Sequence, residues 1–318
     1  MTMTQVMMKA MMKAMMVHRY GGPEVLTYES VPVPTPGAGD VLLKVEAAGV
    51  NPGEAKIRRG DFAEYHTLPL ILGYDLAGTV AGVGPGVTQF AAGDAVYTNS
   101  DSNRSGGYTE FVAVRASGVA LRPRTLDAVH AASVPLAGLT AWQALFKEGG
   151  LTAGQIVLIH GAGGAVGAFA VQFAKVRGAR VIATASGDDL DYVRGLGADV
   201  VVDYRTGRFE DVARDLDAVL DTIGGETQTR SLRVLRPGGV LVATPAPPDQ
   251  QEAQAQGVIA KMVGAEPSAA DLIEIAALID VGRVKTRIGL TFPLSEARQA
   301  HERLEKGGTR GKIVLTVP

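Results

Sequence analysis

A cluster of glycines in the middle of the chain is the segment best suited to bind a ligand. Gly161, Gly163, Gly164 and Gly167 follow the apolar run Ile156–Ile159, and a one-faced helical pattern comes after them. A strand, a loop almost without side chains and a helix N-terminus bring backbone N–H groups against a pyrophosphate. The spacing therefore predicts a dinucleotide site. The loop residues expected in it are Ala162, Gly163, Gly164, Ala165, Val166 and Gly167.

The residues after the second strand of this unit indicate which dinucleotide binds. A carboxylate there binds the ribose 2′-hydroxyl and repels a 2′-phosphate. The chain has Thr184-Ala185-Ser186 instead, which is small and neutral and favours NADPH. Arg205, beside Tyr204 after the next strand, offers a positive charge for that phosphate. We therefore expect Ser186, Tyr204 and Arg205 in the cofactor site.

Two acidic residues favour the alternative cofactor, NADH. Asp188 and Asp189 follow the neutral segment directly, and a carboxylate close to the ribose disfavours a 2′-phosphate. A structural interpretation is also available, because Ser186 and Asp189 have the spacing of a capping box on a helix that follows. NADPH is the prediction, and NADH stays open as the alternative.

Composition excludes several classes of site. The 318 residues include no cysteine, so disulfides, thiolate nucleophiles and sulfur-ligated zinc are excluded. The five histidines are scattered without metal-ligand spacing, and we expect no metal site. A formal net charge of −2 gives no reason to expect nucleic acid or an anionic membrane as a partner. Because no apolar stretch approaches the roughly 20 residues of a membrane helix, we expect a soluble, cytoplasmic protein.

The pattern of elements predicts an α/β protein with two domains. Short strands broken by Gly and Pro, with Tyr108–Val112 among them, run from Lys13 to about Leu121, which indicates a barrel-like β domain. Alternating strands and helices then indicate a doubly wound parallel sheet. We expect residues 1–11 to be disordered, 12–127 and 286–318 to form the β domain, and 128–285 to bind the nucleotide. The last strand should return to the β domain, with the active site in a cleft between the domains.

Eight motifs occur in an order that is specific to one superfamily. Together the chain resembles the zinc-independent quinone oxidoreductase (ζ-crystallin-like) branch of the medium-chain dehydrogenase/reductase superfamily, which implies a GroES-like catalytic domain beside a Rossmann domain. The motifs are Gly49-Val-Asn-Pro52, Leu72-Gly-Tyr-Asp-Leu-Ala-Gly78, Gly93-Asp-Ala-Val-Tyr97, Gly106-Gly-Tyr-Thr-Glu110, Gly138-Leu-Thr-Ala-Trp142, His160-Gly-Ala-Gly-Gly-Ala-Val-Gly167, Asp221-Thr-Ile-Gly-Gly225 and Gly311-Lys-Ile-Val314.

The resemblance implies that zinc does not polarise the substrate. Zinc-dependent relatives carry a cysteine near Asn51 and Gly-His-Glu where this chain has Gly73-Tyr74-Asp75. Hydrogen-bond donors must then stabilise the oxyanion that forms when hydride arrives. The expected donors are Asn51, Lys56 and Tyr74. Each also has a structural interpretation: a turn at Asn51-Pro52, an ion pair between Lys56 and Glu54, and packing of Tyr74.

Further cofactor contacts are implied by the same resemblance. Thr140 matches a helix threonine beside the nicotinamide carboxamide, and Lys312 matches the lysine of the family's C-terminal Gly-Lys pair. Ile223, after one later strand, and Ala243, at the end of another, complete the expected set. A lysine that many relatives carry after the second strand is absent here.

The expected activity is NADPH-dependent, zinc-independent hydride transfer to quinones or related α,β-unsaturated carbonyls, by a homodimer. One alternative is an enoyl reductase acting on acyl thioesters or alkenals, in which an acid such as Tyr74 protonates the α-carbon. An alternative of another class is a ζ-crystallin-like protein that binds cofactor with little catalysis.

Overall fold

The structure is a computed structural model that describes residues 10–100 and 106–318. The first elements along the chain are mainly strands. They are β1 (Met11–Val17), β2 (Leu26–Pro32), β3 (Asp40–Val50), α1 (Pro52–Arg59), β4 (Leu70–Ile71), β5 (Asp75–Val83), β6 (Ala95–Asn99), β7 (Phe111–Arg115), β8 (Val119–Leu121) and α2 (Ala128–Ala131).

Strands and helices alternate through the rest of the chain. The elements are α3 (Pro135–Trp142), β9 (Ile156–Ile159), α4 (Ala165–Val176), β10 (Arg180–Ala185), α5 (Asp189–Gly195), β11 (Val200–Asp203), β12 (Leu216–Asp221), α6 (Glu226–Leu232), β13 (Leu235–Ala243), α7 (Gln250–Ala255), β14 (Ile259–Met262), α8 (Ala269–Asp280), β15 (Ile288–Pro293), α9 (Ala297–Glu305) and β16 (Lys312–Thr316). A π-helical turn, Gln143–Glu148, extends α3.

The first of two units contains the residues up to Pro135 together with 267–269 and 288–318. One sheet has the order β2-β1-β4, and a larger one has the order β15-β16-β3-β5-β6-β8 with β7 also paired to β3. β16 pairs antiparallel with β3, so the last strand returns to the β unit as the sequence predicts. Alternating burial along β3 and β7 places side chains such as Leu43 and Val112 in the core of this unit.

The second unit contains residues 136–266 and 270–287. Its six strands are all parallel, in the order β11-β10-β9-β12-β13-β14. This is the 3-2-1-4-5-6 order of a Rossmann sheet, which confirms the predicted fold class. The central strands β9 and β12 are buried almost throughout, because helices cover both faces of a parallel sheet.

Three local expectations differ from the structure. The predicted disordered extension falls largely on residues 1–9, which lie outside the described residues, but Met11 already begins β1 because it pairs in register with Pro32. The predicted strand Tyr108–Val112 is divided, since Thr109 bridges to β1 and β7 pairs with β3. Residues 128–135 cluster with the first unit, since α2 packs on β3 and β5.

In the described ranges, no helix combines the length and apolar character needed to cross a bilayer.

Candidate functional site

In the dinucleotide loop, Gly161–Gly167, two glycines stand where the structure leaves no room for a side chain. Gly161 has φ +67°, and a Cβ there would lie 2.4 Å from Thr222 Oγ1. A Cβ on Gly167 would lie 2.4 Å from the carbonyl oxygen of Gly161. Gly164 is the N-cap of α4, whose first-turn N–H groups have no acceptor inside the helix. The loop therefore fits a diphosphate, which needs close backbone approach and several N–H donors.

A buried histidine lies directly behind the dinucleotide loop. His160 Nδ1 is 3.1 Å from Thr184 Oγ1, which in turn accepts a hydrogen bond from the Gly161 N–H at 3.3 Å. On the other side, His160 Nε2 is 2.9 Å from the hydroxyl of Ser231. Burial lowers the pKa of His160 to about 4, so the ring is neutral at physiological pH. This chain of hydrogen bonds fixes the entrance to the loop.

The residues expected near a 2′-phosphate lie close together. β10 and β11 pair in parallel, so Ser186 and Tyr204 follow the carboxyl ends of neighbouring strands. The N–H of Tyr204 donates to the carbonyl of Ala185 at 3.2 Å. Tyr204 is 60% exposed, and Arg205 Nη1 is 4.0 Å from the position of a Cβ on Gly187. Both side chains are therefore available to a ligand.

The predicted capping box at α5 is wrong. Asp188, and not Ser186, occupies the N-cap position of α5, and the Asp188 side chain accepts no capping bond from the helix. The Asp189 carboxylate instead pairs with Arg287, at 2.9 Å between Oδ1 and Nη1. The partner lies 98 residues further along the chain, so local spacing could not have revealed it.

The remaining cofactor candidates of the second unit differ in availability. Ile223 is 55% exposed after β12, whereas Ala243, at the end of β13, is fully buried. Asp221 accepts hydrogen bonds from the N–H groups of Ile223 and Gly224, which shapes the turn. The Thr140 hydroxyl donates to Leu136 O at 2.6 Å, so towards a ligand it can only accept.

In the first unit, Asn51 lies at the centre of a buried polar cluster. Its amide Nδ2 donates to Glu54 Oε1 and to Asp75 Oδ2, both at 3.1 Å. Its Oδ1 accepts from Lys312 Nζ at 2.5 Å. This orientation of the amide is forced, because carboxylates require donors and an ammonium requires an acceptor. Both amide hydrogens are engaged, so Asn51 has no donor left for a substrate oxyanion.

Lys312, expected among the cofactor contacts, binds between two residues of this cluster. Its Nζ also lies 2.5 Å from Asp75 Oδ2, and its side chain is only 5% exposed. Two of the three ammonium hydrogens thus go to Asn51 and Asp75. A Cβ on Gly49 would lie 2.9 Å from Lys312 Cε, so this glycine makes room for the lysine.

Glu54 is fully buried and accepts four hydrogen bonds. The donors are the N–H of Asn51 at 2.9 Å, its side-chain amide, the N–H of Tyr74 at 2.9 Å and the hydroxyl of Tyr108 at 2.5 Å. Burial raises the pKa of Glu54, and these hydrogen bonds oppose the rise. The phenol beside it has a pKa well above its usual value, because burial and the charge of Glu54 disfavour a phenolate.

Two further residues connect Glu54 towards the surface. Tyr108 Oη lies 3.2 Å from His301 Nε2, and His301 Nδ1 lies 3.1 Å from Arg58 Nη1. Arginine only donates, so Nδ1 must accept and the proton must be on Nε2. Burial and the Arg58 charge lower the pKa of His301 to about 3. Arg58 also pairs with the partly exposed Glu305 at 2.6 Å.

We call the set Asn51, Glu54, Asp75, Tyr108, His301 and Lys312 the Glu54 cluster. Sequence reasoning missed Asp75, Tyr108 and His301 as members. Asp75 and Tyr108 stand in recognised motifs, so a signal existed for them. Only the structure shows the contact of His301 with Arg58, which lies 243 residues earlier.

The other two proposed donors lie beside this cluster. Tyr74 is 8% exposed and holds Glu54 through its main chain. Lys56 is half-buried on α1. Within residues 10–100 and 106–318 no ion pair joins Lys56 to Glu54, so that structural interpretation of Lys56 is wrong: the acceptor positions of Glu54 are taken by other donors. The same ranges contain no group of three His, Cys, Asp or Glu residues able to hold a metal ion.

Comparison with known proteins identifies the family. A model described as alcohol dehydrogenase GroES-like domain matches residues 37–124, and one described as zinc-binding dehydrogenase matches residues 196–315. The quinone oxidoreductase of Mus musculus is 33% identical, over 96% of this chain and 98% of its own. The chain belongs to the quinone oxidoreductase branch of the medium-chain dehydrogenase/reductase superfamily.

Two other relatives agree with this assignment. The chloroplastic NADPH-dependent alkenal/one oxidoreductase of Arabidopsis thaliana is 36% identical, over 96% of this chain and 79% of its own. The solved quinone oxidoreductase of Coxiella burnetii superposes with a TM-score of 0.91 at 33% identity, over 97% of this chain and 100% of its own. This medium-chain reductase is therefore an oxidoreductase that uses a nicotinamide cofactor.

Proposed function

We propose that this medium-chain reductase transfers hydride from NADPH to quinones or related α,β-unsaturated carbonyls without zinc. The observation that carries the proposal is the pairing of β10 with β11, which brings neutral Ser186 beside Tyr204 and the exposed Arg205. A neutral strand end with a cation beside it suits a 2′-phosphate. The Arabidopsis relative is an NADPH-dependent enzyme by name, which supports the same choice.

We also propose a cation of the first unit as the partner of the acceptor oxygen. When bound, the reduced nicotinamide supplies the hydride. Negative charge then develops on the acceptor oxygen, and a buried ammonium is an effective partner for it. We assign this role to the third N–H of Lys312, and we assign to Asn51 the role of holding Lys312 through Oδ1. Lys56 and Tyr74 are proposed as neighbouring donors.

The zinc-free part of the proposal rests on the donor set. Tyr74 stands where zinc-dependent relatives have a histidine, and Asp75 is neutralised by Lys312. A chain without cysteine also lacks the sulfur ligand that those relatives use. A chelator is therefore expected to leave turnover unchanged, and loss of turnover that divalent cation restores would contradict this part of the proposal.

The experiment measures oxidation rates of NADPH and NADH with 1,4-naphthoquinone, 2-alkenals and crotonyl thioester. We expect turnover with NADPH to exceed that with NADH, and quinones to be the best acceptors. Faster turnover with NADH would overturn the cofactor assignment. Saturable NADPH binding without turnover on any acceptor would favour a role in binding.

An enal or enoyl reductase is the second candidate, since the Arabidopsis relative carries an alkenal activity in its name and Tyr74 adjoins the Glu54 cluster. This reaction needs a proton on the α-carbon, whereas a quinone needs none there. Tyr74→Phe should then lower turnover of 2-alkenals far more than turnover of naphthoquinone. Equal effects on both acceptors would remove Tyr74 as the acid.

We also propose a homodimer. β14 is an edge strand of the Rossmann sheet, and its Ile259 and Met262 are each about half exposed. Unpaired backbone groups with apolar side chains favour pairing with a second copy. Light scattering after gel filtration should give twice the chain mass, and a monomeric mass at micromolar concentration would contradict the dimer.

A further inference from the structure

The side chain of Asp189 lies directly against the dinucleotide loop. A Cβ on Gly163 would be 2.8 Å from both Asp189 Cβ and Asp189 Oδ2, so nothing separates the carboxylate from this part of the loop. An anionic diphosphate and an unpaired carboxylate at such a position repel each other. The site therefore requires something that neutralises Asp189.

Arg287 supplies that charge. Its Nη1 lies 2.9 Å from Asp189 Oδ1, and both side chains are only about a quarter exposed. The guanidinium carbon lies 3.9 Å from the centre of the Tyr192 ring, so the planar group is stacked as well as paired. Stacking and pairing together hold an arginine in one orientation, which a lysine could not reproduce.

The position of Asp189 gives this pair a consequence for cofactor choice. Asp189 is the first residue of α5 and follows the neutral Ser186-Gly187 segment after β10, with the N-cap residue Asp188 between them. A free carboxylate in this region of a Rossmann unit accepts from the ribose 2′-hydroxyl and repels a 2′-phosphate. With Arg287 bound to it, Asp189 is engaged and electrically balanced.

We propose that Arg287 is a specificity-determining residue of the cofactor site, which favours NADPH by neutralising Asp189. It acts through Asp189 and is therefore a positioning residue, in contrast to Arg205, which is exposed beside Gly187 and is assigned to the phosphate itself. This inference rests on the proposed preference for NADPH.

The test is a double-mutant cycle on Arg287→Met and Asp189→Asn, with affinities for NADP⁺ and NAD⁺ measured by calorimetry. Methionine keeps an unbranched apolar chain against Tyr192 but removes the charge. Arg287→Met should weaken the binding of NADP⁺ about 5- to 10-fold more than the binding of NAD⁺, which is the range expected for a partly buried charge pair. Asp189→Asn should shift the ratio of affinities towards NADP⁺.

The double variant decides between a specificity role and a structural one. If Arg287 acts through Asp189, the double variant lacks both charges, and adding Asp189→Asn to Arg287→Met should restore the NADP⁺/NAD⁺ affinity ratio to within about 2-fold of the wild-type ratio. An equal loss of affinity for both cofactors in Arg287→Met would overturn the inference, and so would a double variant that does not restore the ratio of affinities. Should Arg287→Met fail to fold, as judged by its melting temperature, an unchanged ratio in Asp189→Asn would overturn it as well.

The same data separate this inference from the proposed function. A wild-type protein that prefers NAD⁺ would end the NADPH proposal. The shift between wild type and Arg287→Met would still report whether Arg287 biases the choice of cofactor.

Discussion

The dinucleotide loop of the second unit offers main-chain N–H groups to a ligand, whereas the Glu54 cluster of the first unit consists mainly of side chains that hydrogen-bond to one another. In the loop, Gly161 and Gly167 leave no room even for a methyl group. In the cluster, the Glu54 carboxylate accepts one hydrogen bond from each of four donors. One site is made by leaving side chains out, and the other by matching donors to acceptors.

This contrast predicts different failures. An added side chain in the loop blocks a ligand, while a removed partner in the cluster leaves a buried charge or polar atom without compensation. The second error costs folding free energy, because desolvation is no longer offset. Substitutions in the loop should therefore be seen first in cofactor affinity, and substitutions in the cluster first in stability.

The largest expected effect is in the cluster. Lys312→Met removes the cation between Asn51 and Asp75, both of which are nearly fully buried, and leaves Asp75 without its ion pair. We expect the free energy of unfolding to fall by about 3–5 kcal/mol in urea titrations. Lys56→Met is the matched control, with a change within about 0.5 kcal/mol. A similar small change for Lys312→Met would mean that the ion pair stabilises nothing.

Next comes a substitution in the loop. Gly164→Asp places a carboxylate at the N-cap of α4, where the added Cβ would lie 3.2 Å from the Gly161 carbonyl oxygen. Repulsion of the diphosphate should weaken NADPH at least about 100-fold in calorimetry, or about 2.7 kcal/mol. Gly164→Ala, which adds the methyl group without the charge, should lose much less affinity. Unchanged NADPH affinity in Gly164→Asp would refute the loop assignment.

Tyr108→Phe removes one hydroxyl from the cluster. Glu54 then loses a donor, and the His301 Nε2–H loses its acceptor. The unfolding free energy should fall by about 2 kcal/mol, the cost of leaving such groups unsatisfied. The half-exposed Tyr28 provides a comparison, since Tyr28→Phe should change stability by less than about 0.5 kcal/mol. Equal changes in unfolding free energy in the two variants would mean that the hydrogen bond from Tyr108 to Glu54 does not stabilise the fold.

Acid pH should lower the free energy of unfolding through one buried histidine in each of the two regions. The pKa values of His160 and His301 are lowered to about 4 and about 3, against 6.5 for an exposed ring. Below pH 6.5 the two histidines therefore bind protons in the unfolded chain but stay neutral in the native state. Their contribution to the free energy of unfolding is fully present above pH 6.5 and decreases as the pH is lowered towards 4.

The variant that isolates one ring is His301→Gln. It should reduce the slope of unfolding free energy between pH 5.5 and 4.5 by up to about 1.4 kcal/mol per pH unit, the linkage of one proton. A slope that His301→Gln does not change would mean that this ring is already protonated in the native state.

The smallest effect is expected at Arg205. Its side chain is exposed, so Arg205→Ala should weaken NADPH about 3- to 5-fold through loss of a solvent-screened contact. NADH affinity should stay the same, because NADH lacks the 2′-phosphate. Equal weakening of both cofactors would remove Arg205 from the phosphate site.

The sequence predicted those features that depend on local pattern. The apolar runs and glycines around β9 predict the Rossmann unit. The turn considered at Asn51-Pro52 is in fact the start of α1. The Glu54 cluster could not be predicted, because its contacts join the start of α1, β5, the segment before β7, α9 and β16. The role of Asp189 was misjudged for the same reason: spacing gives the nearest partner, Ser186, and says nothing of Arg287.

The position of β16 has a consequence for how the protein is made. A ribosome completes residues 136–266, and with them all six strands of the parallel sheet, before it reaches Lys312. Until then the nascent chain carries Asp75 without the ammonium of Lys312, and β3 lacks its pairing with β16. The β unit, although its first strands emerge earliest, is therefore the last part of the chain to acquire its native contacts.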